Sequence, residues 1–248
     1  MLAVAVAFHQ FGLEKMLKSI ALVCVILLCL VFIGQSGILT SRPALPVASA
    51  PPPQSSAPPA SSFAGRQAGD VQKLKLSDIE IALCWCPAGT FTMGSPPGEE
   101  GRSTDEGPVE VEHTKEFWMF QTEVTQELYE AVTGKTPSQF KGPKNPVENV
   151  SYTEAVAFAV ALTMKVRESG LPPDWELRLP KEAEWEYAAR ADTKTAFPFG
   201  ASLDSNQANF DGNYPYGGAA KGKYLAKTSP VGSYKANAWG LYDTVGNV

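Results

Sequence analysis

Hydrophobic and polar positions divide this chain into three textures. An uncharged apolar run, Ile20–Ile33, follows Lys15, Lys18 and Ser19. Then 17 of the 20 residues from Pro43 to Ser62 are Pro, Ala or Ser, with no charge between Arg42 and Arg66. A mixed body begins near residue 70. Its first segment, IALCWC (81–86), is apolar and β-prone, passes Pro87-Ala88-Gly89 and continues into TFTMG (90–94), which predicts two short strands around a turn. EFWMFQTEVT (116–125) reads as a further strand, and Thr125 is placed to cap a helix over Gln126–Val132 that stops at Gly134. Ser151-Tyr152-Thr153-Glu154 has capping-box spacing. The helix after it runs to Gly170, is ended by Pro172-Pro173, and carries apolar residues on more than one stripe, which predicts that it is largely buried. Leu179-Pro180-Lys181-Glu182 opens another helix, and the first-turn placement of Glu182 and Glu184 at the positive end of the dipole accounts for them without catalysis.

After Arg190 the periodicity disappears. Phe197, Phe199, Phe210, Tyr214, Tyr216, Tyr224, Tyr234, Trp239 and Tyr242 are spaced by Gly, Asn and Asp. A long irregular region needs something other than regular hydrogen bonding to fix it: packed aromatics, or Ca²⁺ held by Asn and Asp side chains and backbone carbonyls. The expected class is α+β, low in regular secondary structure.

Charge sharpens the division. Residues 1–69 hold four basic side chains and one acid, whereas the remainder of the chain, at −5 overall, carries a net −8. An acidic body repels phosphate backbones, which argues against nucleic acid as a partner. A basic flank followed by an apolar run has the form of an export signal or a membrane anchor, with Met16 offering a second start. The resulting organisation is residues 1–39 as signal peptide or anchor, 40–69 as a Pro/Ala/Ser-rich linker, and 70–248 as the folded domain. The protein is therefore expected to be exported, to the periplasm or the cell surface, with the N-terminal segment meeting the membrane if it is not removed.

Candidate chemistry is sparse. Cys84 and Cys86 are the cysteines of the body; read as pointing to opposite faces of an extended segment, one buried and one exposed, they suit neither a disulfide nor a zinc pair. His113 is the only histidine of the body and lies in the charged alternation EVEHTKE, which predicts a solvent-facing side chain. The body has no Gly-rich phosphate loop, HExxH or CxxC.

Six strings occur in a familiar order: PAGTFTMGS (87–95), DEGPV (105–109), FWMFQTEVTQELYEA (117–131), NPVENVSYTEAVAFA (145–159), LRLPKEAEWEYAAR (177–190) and TSPVGSYKANAWGLYDTVGNV (228–248). Through them the chain resembles the sulfatase-modifying-factor family, to which the formylglycine-generating enzyme belongs. The resemblance implies a compact α+β fold of the formylglycine-generating-enzyme type, related to C-type lectins. It also implies copper- and O₂-dependent oxidation of a cysteine in a secreted sulfatase. The family's two copper-binding cysteines fall after the segment matched by Gly246-Asn247-Val248, and Cys84 and Cys86 do not match them. The resemblance thus implies a domain C-terminally incomplete in these 248 residues, inactive as it stands, and catalytic only where the intact gene product supplies those cysteines. Non-catalytic surface or structural modules share the fold, and a third group of relatives uses iron and histidines, for which a lone His113 is a poor match.

Two calcium sites are implied in part. One would use the Asn209 side chain and the Phe210 carbonyl; its acidic partner falls near Lys223, which cannot serve, leaving Asp211 as a substitute. The other would use Asp243 with backbone oxygens at Gly246 and Val248, and a glutamate past the matched segment.

Overall fold

The computed structural model describes residues Val31–Gly34, as backbone, and residues 63–248. Seven strands are described: β1 (Val31–Gly34), β2 (Val71–Leu76), β3 (Ile79–Cys86), β4 (Gly89–Met93), β5 (Val109–His113), β6 (Phe117–Phe120) and β7 (Trp175–Arg178). Five form an antiparallel sheet in the order β2-β3-β6-β1-β7, and β4 and β5 form a separate hairpin. Three α-helices are found among the described residues: α1 (Gln126–Thr133), α2 (Tyr152–Val166) and α3 (Glu182–Arg190).

The period-2 alternation of the two central strands builds two cores at once. On one face of β3 and β6, Ile81, Leu83, Trp85, Trp118 and Phe120 join α1 and α2 through Leu128, Tyr129, Phe158 and Leu162. On the other face Cys84, Cys86, Phe117 and Met119 join Tyr187 and Ala188 of α3 with Trp239 and Leu241. Trp85 and Trp118 are register partners and pack edge to face, with centroids 4.8 Å apart. With both faces covered, β6 is buried at every residue.

This architecture corrects the reading of the cysteines. Residues two apart on a strand share a face, so Cys84 and Cys86 point the same way, and both are fully buried because that face is also a core. The Cys84 thiol donates to the Trp239 carbonyl. Burial pushes the Cys84 thiol up to about 12 and raises Cys86 well above the ordinary thiol range.

Local signals in the sequence have direct counterparts. Thr125 Oγ1 accepts from Leu128 N, and Gly134, at φ 72°, closes α1. The Ser151–Glu154 capping box is present at α2, and Gly170 ends the short 3₁₀ turn Arg167–Ser169 that follows. The second stripe of α2 behaves differently from the expectation. Tyr152, Val156, Val160 and Met164 are exposed, Met164 at 70%, because only one side of the helix meets the sheet. The strand expected over 116–125 is confined to Phe117–Phe120; beyond it Gln121 N still donates to Ala82 O, and Gln121 O accepts from Tyr242 N.

His113 is half-buried rather than solvent-facing. Its ring stacks on Phe91 and leans on Tyr187, with Nε2 3.2 Å from the Ala183 carbonyl oxygen. The β4–β5 hairpin therefore docks on α3 through the one imidazole that the charge alternation concealed. Val31–Gly34, the end of the apolar N-terminal run, pairs with β6 and β7. The rest of that run, and the spacer at 43–62, lie outside the described residues, as do the signal and anchor readings that rest on them. Among the described residues no helix is long and apolar enough to cross a membrane.

Arg178, at the end of β7, makes a two-pronged ion pair with Glu184 in the first turn of α3, at 2.8 and 2.6 Å. Glu184 also accepts from Lys181 N at 2.8 Å. Burial opposes ionisation of Glu184, but the Arg178 guanidinium and the Lys181 amide outweigh it and hold the carboxyl below its ordinary range.

Two outcomes follow. Because the folded-state pKa of Glu184 is depressed, its contribution is complete above the ordinary glutamate range and is lost as pH falls through the folded value. Arg178→Ala is expected to cost about 3 kcal/mol at pH 7 in urea denaturation, as for breaking a largely buried pair, and less in acid. Mapped alkylation of the native protein is expected to leave the Cys84–Cys86 peptide unlabelled at neutral pH and to label it after denaturation.

Candidate functional site

After Arg190 no residue belongs to a helix or an extended strand; only the isolated bridges Phe197–Gly200 and Leu203–Tyr216 occur. Aromatic packing explains part of this region, with Trp239 buried and Phe197 set edge-on to Tyr216, but Tyr214 and Tyr224 are exposed. Buried asparagines do much of the rest. Asn237 donates to the carbonyls of Ala188 and Ala189 and accepts from Trp239 N and Leu241 N, replacing absent secondary structure with a side-chain amide. Asn247 Oδ1 accepts from Ser229 N, Ser229 Oγ and Asn209 Nδ2, while its Nδ2 donates to Ser229 O.

This network brings the two sets of candidate metal residues together. Asn247 N donates to Asn209 O at 2.9 Å, and a Cβ on Gly246 would lie 2.7 Å from that same oxygen, so only glycine permits the approach. Asn209 turns its amide nitrogen to Lys227 O and to Asn247 Oδ1. Phe210 follows it, half-buried. Lys223 does come beside this turn, since Gly222 N donates to Gly212 O, but Asp211 Oδ1 accepts from the Asn213 backbone and side-chain amides. Asp211 thus closes its own turn through Oδ1.

The second set has a different character. Asp243 is 8% exposed, at φ 54°; its Oδ2 accepts from Gly232 N at 2.6 Å and its Oδ1 is buried without a partner. Beside it lies Glu123, 4% exposed, with both carboxylate oxygens buried and unpartnered. Neither acid forms an ion pair with a Lys, Arg or His among the described residues. Burial, reinforced by the charge of Asp243, raises the Glu123 pKa well above the ordinary carboxylate range; burial also raises Asp243, against the pull of the Gly232 amide. Val248 packs against the helix-side core, which ties the end of the segment to the sheet.

Glu123 escaped the reading of the sequence. The available signal was an acid without a basic neighbour inside a stretch, FWMFQTEV, otherwise expected to be buried. Chain geometry hides the rest, because Glu123 leaves β6 and Asp243 lies in a loop far along the sequence, joined to the sheet by the Tyr242–Gln121 backbone bond.

The donor set fits a hard cation. Buried carboxylate oxygens outside any ion pair are ligands that calcium accepts. Asp243 and the neighbouring backbone at Gly246 and Val248 would hold such an ion, and the ion would supply charge neutralisation at a turn that has no regular hydrogen bonding. Copper finds no comparable place in this part of the chain. Cys84 and Cys86 are sealed in a core with thiols that resist ionisation, and thiolate is the species a soft metal needs. Among the described residues no three His, Cys, Asp or Glu side chains cluster.

The formylglycine-generating enzyme of Mycobacterium tuberculosis is 33% identical over 148 residues, covering 57% of this chain and 43% of that protein. The chaperone protein LppX of Paenibacillus barcinonensis is 30% identical over 172 residues, covering 54% of this chain and 60% of that protein. Among solved structures, PvdO from Pseudomonas aeruginosa superposes with a TM-score of 0.58 at 31% identity, covering 74% of each chain. The chain spans about half the length of the curated relatives it matches. The model of the sulfatase-modifying factor enzyme 1-like domain matches residues 80–248, and the chain belongs to that family.

Proposed function

We propose that this chain provides the scaffold of an exported formylglycine-generating-type protein. The protein oxidises a cysteine in a secreted sulfatase to formylglycine, with O₂ as oxidant and copper held by two thiolates outside the residues described. The observation that supports the reading is the family match over residues 80–248, with a curated relative named for that activity. Export is supported by the basic-then-apolar start and by the Pro/Ala/Ser-rich stretch that separates it from an acidic body. Bound calcium would serve this function structurally, by setting the irregular region against the sheet.

In this reading the described residues bind and position; they do not transfer electrons. Cys84 and Cys86 are core residues, and the imidazole of His113 is occupied in packing β4–β5 onto α3.

A second reading has its own support. The burial of both described body cysteines fits a non-catalytic recognition or structural module of the same fold, tethered at a membrane by the N-terminal segment, whose partner is another exported protein. A matched relative named as a chaperone points the same way.

The two readings part on one assay. The whole gene product, supplied with copper, O₂ and a cysteine-containing sulfatase-type peptide, is expected to form an aldehyde that a hydrazide probe captures. Cys84→Ala and Cys86→Ala are expected to leave the rate unchanged. No aldehyde from a folded, copper-supplied protein would favour the module, and loss of aldehyde in Cys84→Ala would place the chemistry on the buried thiols, contrary to the proposal.

A further inference from the structure

The solvent side of α2 lacks the charges that a surface helix ordinarily places there. Residues 155–164 read AVAFAVALTM, without a charged side chain. Phe158, Ala159, Leu162 and Val166 turn into the helix-side core. Val156, Val160 and Met164 turn to solvent at 37%, 59% and 70% exposure, with Tyr152 at 63% one turn before them. The four recur at every fourth position, so they lie one above another over about 18 Å of helix. Contiguous apolar surface of this kind marks a contact with another molecule.

We propose that this stripe is the contact surface for a second copy of the same chain, packed as an antiparallel pair of α2 helices about a two-fold axis. The proposal stands apart from the oxidase and module readings and goes beyond both. Its ground is that the stripe complements itself when reversed. An axis level with Phe158 sets Val156 against Val160 of the second copy, and Tyr152 against Met164 of the second copy, an aromatic ring on a thioether at each end. Ala157, exposed, and Ala161, half-buried, border the valines and are small enough to let the helix axes approach within about 8 to 10 Å.

Charge selects the same direction. Glu154 and Lys165 share one flank of α2, at opposite ends of its uncharged face. Reversal brings Lys165 of each copy within a turn of Glu154 of the other, whereas a parallel pair would set like charges side by side. Lys165 forms no ion pair among the described residues, and Glu154 forms an exposed one with Lys135 at 3.3 Å. The contact lies on the helix side of the sheet, across from the irregular cover, so pairing leaves the cover of each copy free. Four side chains from each copy bury less than the about 1,200 Å² of a standard interface, and the dimer is expected to be reversible, with a Kd on the order of 10 μM.

The test is sedimentation of the full chain from about 1 to about 200 μM, which brackets such a Kd. A monomer–dimer equilibrium is expected, and Val160→Asp should weaken it by about tenfold or more, since each copy would then carry a charge into an apolar contact. Val109→Asp is the control: Val109 is 58% exposed on β5, in the hairpin that docks on α3, and its replacement should leave the dimer unchanged. Carbodiimide coupling of the wild type reads the direction without any variant. Glu154 and Lys165 are about 16 Å apart along one helix, out of reach within a chain, so a Lys165–Glu154 cross-linked peptide in the dimer reports the antiparallel pair.

A dimer without that cross-link would overturn the antiparallel arrangement. Association of equal strength in wild type and Val160→Asp would overturn the proposal by placing the contact elsewhere. A chain that stays monomeric, with Met164 protected from peroxide, would overturn it by assigning the stripe to another segment of the same chain.

Discussion

The constraint on which this fold depends is that its two central strands are buried on both faces. Strands β3 and β6 send Leu83, Trp85, Trp118 and Phe120 toward α1 and α2, and Cys84, Cys86, Phe117 and Met119 toward α3 and the last loop. An antiparallel sheet commonly leaves one face to solvent. Here the second face needs a cover, and the chain supplies it with a long segment that has little secondary structure. Everything distinctive about the second half follows from that requirement: it must present Trp239 and Leu241 to the sheet while satisfying its own backbone without a ladder.

Side-chain amides meet much of that requirement. Asn237 and Asn247 each make several hydrogen bonds to main chain or side chain, most of which regular structure would otherwise provide. Gly246, in contact distance of Asn209 O, lets two loop segments come closer than any side chain would allow. The Glu123–Asp243 pair stands out against this, with three of its four carboxylate oxygens buried outside the backbone network.

Much of this was legible in the sequence where the signal is local. Thr125, Gly134 and the Ser151–Glu154 box mark helix ends by hydrogen bonds within a few residues, and each forms as its spacing implies. The six family strings identified the fold, since they record the cover as well as the sheet. Signals that depend on distant partners were illegible or misleading. The burial of His113 depends on Phe91 and Tyr187, which a charge alternation cannot reveal. The exposure of Val160 and Met164 depends on α2 packing through one side only, against α1 and the sheet, whereas composition alone suggests that both sides are covered. Cys86 is buried because a loop beyond residue 230 lies over the sheet. Glu123 belongs with these: its buried carboxyl lies beside Asp243, in a loop that only the folded chain brings to it.

The central claim is that the second face of the sheet is covered by an irregular segment held in place by side-chain amides, Asn237 foremost. Hydrogen–deuterium exchange on the full chain, comparing wild type with Asn237→Ala, tests it most directly. The account requires slow exchange at Trp239 and Leu241 in the wild type and markedly faster exchange there in the variant. Equal protection of Trp239 and Leu241 in the two proteins would contradict it.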